Sequence, residues 1–187
     1  MPRWRKNGAQ RMPGLIMLIS EEYRSEQERL HARGGYGTAS LKFGAVVSQL
    51  VESSGAATLL DYGCGAMRNL ATVLDCDVVY QGYDPGVEAF SADPDPADVV
   101  ACIDVLEHIE PDCLDEVLDH IRQKCLKHAF LSVHVGPAIK TLSDGRNAHL
   151  IQRPAAWWLP QLMNRFDLIQ FHQASKHGFW AVMRSGA

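Results

Sequence analysis

Long apolar runs are missing from this sequence of 187 residues. None approaches the roughly 18 residues that a membrane-spanning helix needs. Near the start, the basic stretch MPRWRK is followed by an apolar patch, Leu15–Ile19. That patch is shorter than the roughly 7–15 residues of a secretory signal core. We therefore expect no membrane partner, and we interpret residues 1–16 as a disordered basic tail, with Met17 as an alternative start.

Paired cysteine motifs are also missing. The five cysteines are an odd number and none forms a CxxC pair. A disulfide framework and a zinc site of the paired-cysteine type are both disfavoured by this pattern. We expect buried free thiols and a cytoplasmic protein.

Basic residues are absent from a long central stretch. From Asn69 to Ile121 there are fourteen acids and no lysine or arginine, whereas nine basic residues and only Asp144 and Asp167 follow from Arg122 onward. An acidic surface repels a phosphate backbone, and a basic one attracts an anion. Duplex nucleic acid is therefore a disfavoured partner. The basic C-terminal third is expected to bind an anionic substrate. The sequence gives no oligomeric state.

Short apolar runs alternate with amphipathic segments through most of the chain. We predict an N-terminal helical cap over residues 17–56 and an α/β core over residues 57–187. In the core, AATLLDY, DVVYQGYD, ADVVACIDV and HAFLSVHVG are predicted strands, and MRNLATVL and PDCLDEVLDHIRQKC are predicted helices. This alternation is typical of an open, mostly parallel sheet with helices on both faces. FDLIQFHQ and GFWAVMR, joined by ASKHG, predict a C-terminal antiparallel hairpin.

The unit after the second strand is short. Only thirteen residues separate Asp84 from Asp98, and three of them are prolines. A helix and a strand would need more than about 20 residues. We therefore expect the crossover after the second strand to be shortened or missing.

A glycine turn, DYGCG, ends the first strand, and Asp84 ends the second. Gly63 and Gly65 lack a Cβ, so their backbone can approach a ligand closely. A strand-end acid about 20 residues after a glycine turn is typical of a nucleotide-like ligand, with the acid bound to ribose hydroxyls. The alternative is a plain tight turn followed by a surface aspartate that caps a helix.

LLDYGCG, YDP and ADVVACIDVLEHIEP resemble the motifs of class I S-adenosylmethionine-dependent methyltransferases, and DGRNAHL resembles a bacterial and phage subgroup of them. The resemblance implies a Rossmann-like sheet of seven strands and S-adenosylmethionine as cofactor. It implies a ribose contact from Asp84 beside Pro85, and a contact to the methionine amino group at the end of the third strand. The implied cofactor residues are Asp61, Gly63, Cys64, Gly65, Asp84, Pro85, Cys102, Ile103 and Asp104, with Tyr36 as a lid residue or a mere helix connection.

NAD is the competing ligand for such a turn. Its fingerprint, G-x-G-x-x-G, fails here because Arg68 occupies the third glycine position. Met67 stands where the methyltransferases usually have a further glycine, so a bulkier turn is expected. With the segment 85–97 shortened, Asp93 or Asp95 is a candidate to bind the adenine amino group.

Two missing sequence motifs restrict the chemical class of the methyl acceptor. No Asp/Asn-Pro-Pro-aromatic stretch follows the third strand, and no Pro-Cys pair is present. These absences disfavour methylation of DNA adenine and of cytosine C5, and they favour an oxygen or a non-aromatic nitrogen.

Candidate catalytic and substrate residues cluster after the fourth strand. We expect a general base among His134, His149 and Asp104, and substrate contacts from Lys140, Arg146, Asn147, His149 and Trp157. Each has a structural alternative: a core histidine, a loop donor, an ion pair of Arg146 with Asp144, or a core tryptophan. No His-x3-His spacing occurs among the eight histidines, so no metal is predicted.

The leading hypothesis is O- or N-methylation of a small-molecule or nucleotide-like, anionic acceptor. A non-catalytic module that binds S-adenosylmethionine, acting as a partner or sensor, is the alternative.

Overall fold

The computed structural model describes residues 17–32 and 38–186 of the chain. Two helices, α1 and α2, precede the first strand, α3 precedes the fourth strand, and α4 precedes the C-terminal hairpin. The elements in chain order are α1 Glu21–Ala32, α2 Gly44–Ser54, β1 Thr58–Tyr62, β2 Val79–Tyr83, β3 Ala97–Ile103, α3 Leu114–Lys124, β4 Cys125–His134, α4 Ala155–Met163, β5 Phe166–Ser175 and β6 Gly178–Ser185.

The strands form one sheet in the order β2-β1-β3-β4-β6-β5. The first four are parallel, and β6 pairs antiparallel with both β4 and β5. This confirms the open, mostly parallel α/β sheet and its C-terminal hairpin. The described residues give six strands where the resemblance implied seven, because the short segment after β2 adds no strand beyond it.

The sheet is buried on both faces. Leu60, Cys102 and Leu131 belong to the apolar cluster that includes residues of α3 and α4. Alternate residues of the same strands, such as Leu59 and Phe130, pack on the other side with residues of α2. Period-2 alternation places successive side chains on opposite faces, so apolar residues at both sets of positions require cover on both sides.

The predicted helix MRNLATVL is wrong. Only Asn69–Thr72 forms a short 3-10 turn there. Arg68 has a φ of 46°, in the left-handed region that a right-handed helix cannot contain. Leu70, fully buried, packs this segment against the sheet without a helix.

The shortened segment after β2 contains one 3-10 turn, Glu88–Phe90. Asp93, a candidate for the adenine contact, instead joins this segment to α3. Its carboxylate lies 2.9 Å from Nε2 of His120 and 2.7 Å from Nζ of Lys124. Asp95 is exposed.

All five cysteines are free, and four of them are buried. Among the described residues no helix has the length and apolar character to cross a membrane. Residues 1–16 and Tyr36 lie outside the described residues, so the predicted tail and lid stay predictions. The boundary between cap and core also stays a prediction.

Candidate active site

A cavity of about 420 Å³ opens at the carboxyl ends of β1, β2 and β3. This is the edge where ligands bind in open α/β sheets, and the volume is that of a small-molecule site. Residues of α1, the segment before α2 and the loop after β4 complete its walls.

The glycine turn after β1 is held against the end of β2. Gly63 has a φ of 81° and Gly65 a φ of 63°, values that favour glycine. The backbone N–H of Gly63 donates to the carbonyl of Tyr83 at 2.7 Å. Asp84 accepts from the N–H of Gly65 and from that of Gly86, each at 2.9 Å. Asp84 also lines the cavity, and a carboxylate there is an acceptor suited to a ligand hydroxyl.

Asp61 is a buried acid on the wall of this cavity. It is 3% exposed, and its Oδ2 accepts the hydroxyl proton of Tyr80 at 2.7 Å. Burial raises the pKa of Asp61 to about 7, with a further contribution from the nearby Asp84. A cation beside Asp61 would stabilise its charged form.

Met67 does not obstruct the turn. Its side chain is 69% exposed, whereas Cys64 is buried. The bulk that replaces the usual glycine therefore points to solvent, and the turn next to the cavity is built by Gly63 and Gly65.

Most predicted cofactor residues line the cavity. They are Asp61, Gly63, Cys64, Gly65, Asp84, Pro85, Ile103 and Asp104. Cys102 is the exception: it is fully buried in the apolar cluster under α3 and α4. Its side chain alternates to the sheet face opposite Ile103, so a side-chain contact with a cofactor is corrected to a core position.

Helix α1 covers one side of the cavity, with Tyr23 and Gln27 among the lining residues. The hydroxyl of Tyr23 donates to the carbonyl of His108 at 2.8 Å. Glu26 accepts from the backbone N–H and the hydroxyl of Ser143 at 2.8 and 2.7 Å. Gln27 also lines the cavity, is 7% exposed, and its Nε2 is buried without a hydrogen-bond partner.

At the ends of β3 and β4 two acids meet. Asp104 has a φ of 51°, and its carboxylate accepts the hydroxyl proton of Ser132 at 2.6 Å. Glu107 is fully buried, and its Oε1 accepts the backbone N–H of His134 at 2.8 Å. Its Oε2 has no hydrogen-bond partner. Burial, reinforced by Asp104, raises the pKa of Glu107 well above its ordinary value.

Histidines surround these acids. The ring centroid of His149 lies 4.7 Å from that of His108 and 4.9 Å from that of His134. His177 stacks on His134 at 6.0 Å. Three side chains each offer one atom that could bind a metal ion, and these atoms lie within 4.8 Å of one another. The three residues are Glu107, His108 and His149. The chain spacing of the histidines gave no sign of this group, because the fold brings distant residues together.

The predicted substrate residues divide into two groups. Lys140 and His149 line the cavity. Arg146 instead forms an ion pair with Asp144, with 2.5 Å between Nε and Oδ2. Trp157 packs against the core, and the guanidinium carbon of Arg153 lies 5.9 Å from its ring centroid.

Asn147 shapes the loop rather than lining the cavity. Its Oδ1 accepts the backbone N–H groups of Ala138 and His149 at 2.9 Å each. Its Nδ2 donates to the carbonyl of Ala138 at 2.8 Å. Asn147 thereby positions the segment that carries Lys140 and His149.

Sequence reasoning missed the contributions of α1 and of Glu107. Tyr23 and Gln27 lie in a polar helix whose periodicity gives no sign of a cavity. Glu107 carried a signal, an acid that follows Val105 and Leu106 just after a strand, but its burial depends on β4 and on the loop around residue 149.

The family model described as "Methyltransferase domain" matches residues 21–177. A search of curated proteins finds no match. Among solved structures, the chain is similar to the 1,6-didemethyltoxoflavin-N1-methyltransferase of Burkholderia thailandensis, crystallised with 1,6-didemethyltoxoflavin and S-adenosylhomocysteine. The identity is 16%, 88% of each chain is covered, and the TM-score is 0.65.

Two further structures are similar. Magnesium protoporphyrin IX methyltransferase from Synechocystis PCC 6803 with bound S-adenosylhomocysteine is 14% identical, with 89% of this chain and 95% of that one covered and a TM-score of 0.56. The small RNA methyltransferase HEN1 is 15% identical, with 78% of this chain but 25% of that one covered, also at a TM-score of 0.56.

The glycine turn, the strand-end acids and the sheet order agree with a family model that spans most of the sequence. The chain belongs to the methyltransferase domain family.

Proposed function

We propose that the protein transfers a methyl group from S-adenosylmethionine to the oxygen or nitrogen of a small-molecule or nucleotide-like, anionic acceptor. The observation that carries this proposal is the cavity at the strand ends, where Asp61, Asp84 and the glycine turn meet.

The residues present fit this cofactor. Asp84 lines the cavity and presents a carboxylate, an acceptor suited to ribose hydroxyls. Asp61 offers a buried carboxylate for the methionine ammonium group, and because burial raises the pKa of Asp61, a cation beside it would stabilise its charged form. Gln27 offers an unpaired N–H donor at the cavity wall. The solved structures that hold S-adenosylhomocysteine support the same assignment.

A dinucleotide fits less well. Its pyrophosphate is bound by the N-terminus of a helix that follows the glycine turn. Here Gly65 is followed by a turn and the four residues Asn69–Thr72 in 3-10 geometry. This segment offers no α-helical N-terminus to a phosphate group.

The sulfonium of the cofactor supplies an activated methyl group, and the electron pair of its S–C bond stays on sulfur as the bond to the acceptor forms. The protein must align the acceptor and exclude water, and must take a proton where the acceptor carries one.

His149 is the best-placed base. Its Nδ1 faces the carbonyl of Gly136 at 2.7 Å, which leaves the lone pair of the neutral ring on Nε2. Burial lowers the pKa of His149, which favours the neutral form of the ring. His134 and Asp104 are further candidates.

The acceptor side combines a cation with apolar surface. Lys140 lines the cavity together with Pro137, Ala138 and Ile139. The charge of Lys140 supports an anionic group on the acceptor, and the apolar neighbours support a partly apolar body. The similar proteins are named for methylation of 1,6-didemethyltoxoflavin, magnesium protoporphyrin IX and small RNA, which keeps both small-molecule and nucleotide-like acceptors in the proposal.

The alternative, a non-catalytic binding module, drew support from Met67 and from the shortened segment after β2. Met67 is exposed, so this support weakens. Turnover decides between the two functions.

The test is transfer of label from methyl-labelled S-adenosylmethionine to a metabolite extract. The proposal expects labelled acceptor together with S-adenosylhomocysteine, in amounts reduced by Asp61→Asn and unchanged by the exposed control Asp95→Asn. Tight cofactor binding without label transfer to any fraction would favour the binding module instead.

We also propose that the protein is cytoplasmic, an assignment supported by its five free cysteines.

A further inference from the structure

A fully buried carboxylate with one unpaired oxygen, that of Glu107, precedes His108, a residue that lines the cavity. Glu107 is 0% exposed, and its Oε2 has no hydrogen-bond partner. Leaving a buried carboxylate oxygen unpaired is costly, because the group has lost its hydration without gaining a donor or a cation. An unsatisfied group of this kind therefore requires an explanation.

The neighbours of the Glu107 carboxylate are side chains of the kind that bind metal ions. His108 and His149 each place a ring nitrogen in the set of atoms that lie within 4.8 Å of one another, with the carboxylate of Glu107 as the third member. Ligand atoms bound to one tetrahedral ion are about 3.4 Å apart when each bond is about 2.1 Å. Movements of less than about 1 Å would bring the three atoms into coordinating positions.

The two histidines are oriented as metal ligands usually are. Nδ1 of His108 faces the carbonyl of Ala148 at 2.8 Å, and Nδ1 of His149 faces that of Gly136 at 2.7 Å. Because a carbonyl only accepts, each Nδ1 carries the proton, and the lone pair of each neutral ring is on Nε2. Metal-binding histidines commonly donate their other N–H to a backbone carbonyl in this way.

We propose that Glu107, His108 and His149 form a binding site for a divalent transition-metal ion next to the methyl-transfer site. Two imidazoles and one carboxylate favour ions such as Mn²⁺, Fe²⁺, Co²⁺ or Zn²⁺ over Mg²⁺ or Ca²⁺, which prefer oxygen alone. Asp104 and Glu107 add negative charge that the ion would offset. Both His108 and His149 line the cavity, so ligand positions not filled by protein face the space where an acceptor binds.

The consequence for chemistry rests on the proposed function. An acceptor hydroxyl bound to the ion would have a lowered pKa, as metal-bound water does. Its proton would pass to a base, its oxygen would form the new O–C bond, and the electron pair of the broken S–C bond would remain on sulfur. With His149 on the ion, His134 and Asp104 are left as proton acceptors. The site thus favours an oxygen acceptor over a nitrogen one.

The experiment is a calorimetric titration of metal-free, chelator-treated full-length protein with Co²⁺ and, separately, with Mn²⁺. Parent protein is compared with Glu107→Gln and His149→Gln, and with His177→Gln as a matched surface control. Circular dichroism and S-adenosylhomocysteine affinity are measured on every variant. We expect one site per chain, at least about 10-fold weaker binding in both ligand variants, and parent-like binding in His177→Gln.

Two results would overturn the inference. One is the absence of a stoichiometric site in a folded parent that binds S-adenosylhomocysteine. The other is parent-like metal affinity in folded His149→Gln, the variant that decides the matter if Glu107→Gln does not fold. Either result leaves the proposed function standing, whereas loss of S-adenosylhomocysteine binding by the parent would contradict the proposed function itself.

Discussion

The carboxylate of Asp84 accepts the backbone N–H of Gly65 at 2.9 Å, and so joins the turn after β1 to the loop after β2. The other oxygen of the same carboxylate accepts the N–H of Gly86. An acid predicted to bind a ligand is therefore also the residue that holds the ligand-binding turn in position.

Asp84→Asn is expected to destabilise the protein. An amide supplies one acceptor oxygen where the carboxylate supplies two, so one buried N–H loses its partner. The expected loss is about 1–3 kcal/mol in the free energy of unfolding, measured by urea denaturation. The exposed Asp95→Asn should stay within about 0.5 kcal/mol of the parent. Equal stability of the two variants would show that the turn does not depend on this carboxylate.

Much of this arrangement follows from the sequence. The strand-end acids and glycines are local signals, and the right-handed parallel topology brings them to one edge of the sheet. The four strands β1 to β4, the hairpin and the short segment after β2 were predicted from apolar runs and residue counts.

Other features depend on contacts that no local pattern contains. The helix expected after the turn is interrupted by the left-handed Arg68. Arg146 forms an ion pair with Asp144, and Trp157 packs against the apolar core. The group of Glu107, His108 and His149 exists because β3 and the loop after β4 meet in space, and their separation along the chain hides it.

The junction between α1 and the substrate loop should respond to acid. Bonds from the hydroxyl and backbone N–H of Ser143 lower the pKa of Glu26 below its ordinary value of 4.5. A lowered folded-state pKa contributes stability above the unfolded pKa, and this contribution is lost as the pH falls through the folded value. Thermal unfolding of parent and Glu26→Gln should therefore differ at about pH 6 and converge near pH 3. A constant difference across this range would contradict the assignment.

Binding of the cofactor product should release protons near neutral pH. The raised pKa of Asp61, about 7, leaves roughly half of the carboxyl protonated at pH 7. An ammonium group beside it favours the charged form, so S-adenosylhomocysteine should expel up to about half a proton. Calorimetry at pH 7 in buffers of different ionisation enthalpy measures this number. Asp61→Asn should abolish the release, and a parent that releases none would argue against an ammonium group at Asp61.

Gln27 should contribute to ligand binding more than to folding. Its Nε2 is buried and unpaired, so Gln27→Leu removes an unsatisfied donor and should leave the melting temperature unchanged or raised. Affinity for S-adenosylhomocysteine should fall about 5- to 10-fold, the equivalent of one hydrogen bond. Unchanged affinity in a folded Gln27→Leu variant would place this donor outside the ligand contacts.

The central claim is that the cavity between Asp61 and Asp84 binds S-adenosylmethionine and its product. The most direct measurement is a calorimetric titration of the parent, Asp84→Asn and Asp95→Asn with S-adenosylhomocysteine, with NAD as control ligand. The account predicts micromolar binding by the parent and Asp95→Asn, at least about 10-fold weaker binding by folded Asp84→Asn, and no binding of NAD. Failure of the parent to bind S-adenosylhomocysteine, or equal affinity in Asp84→Asn, would contradict it.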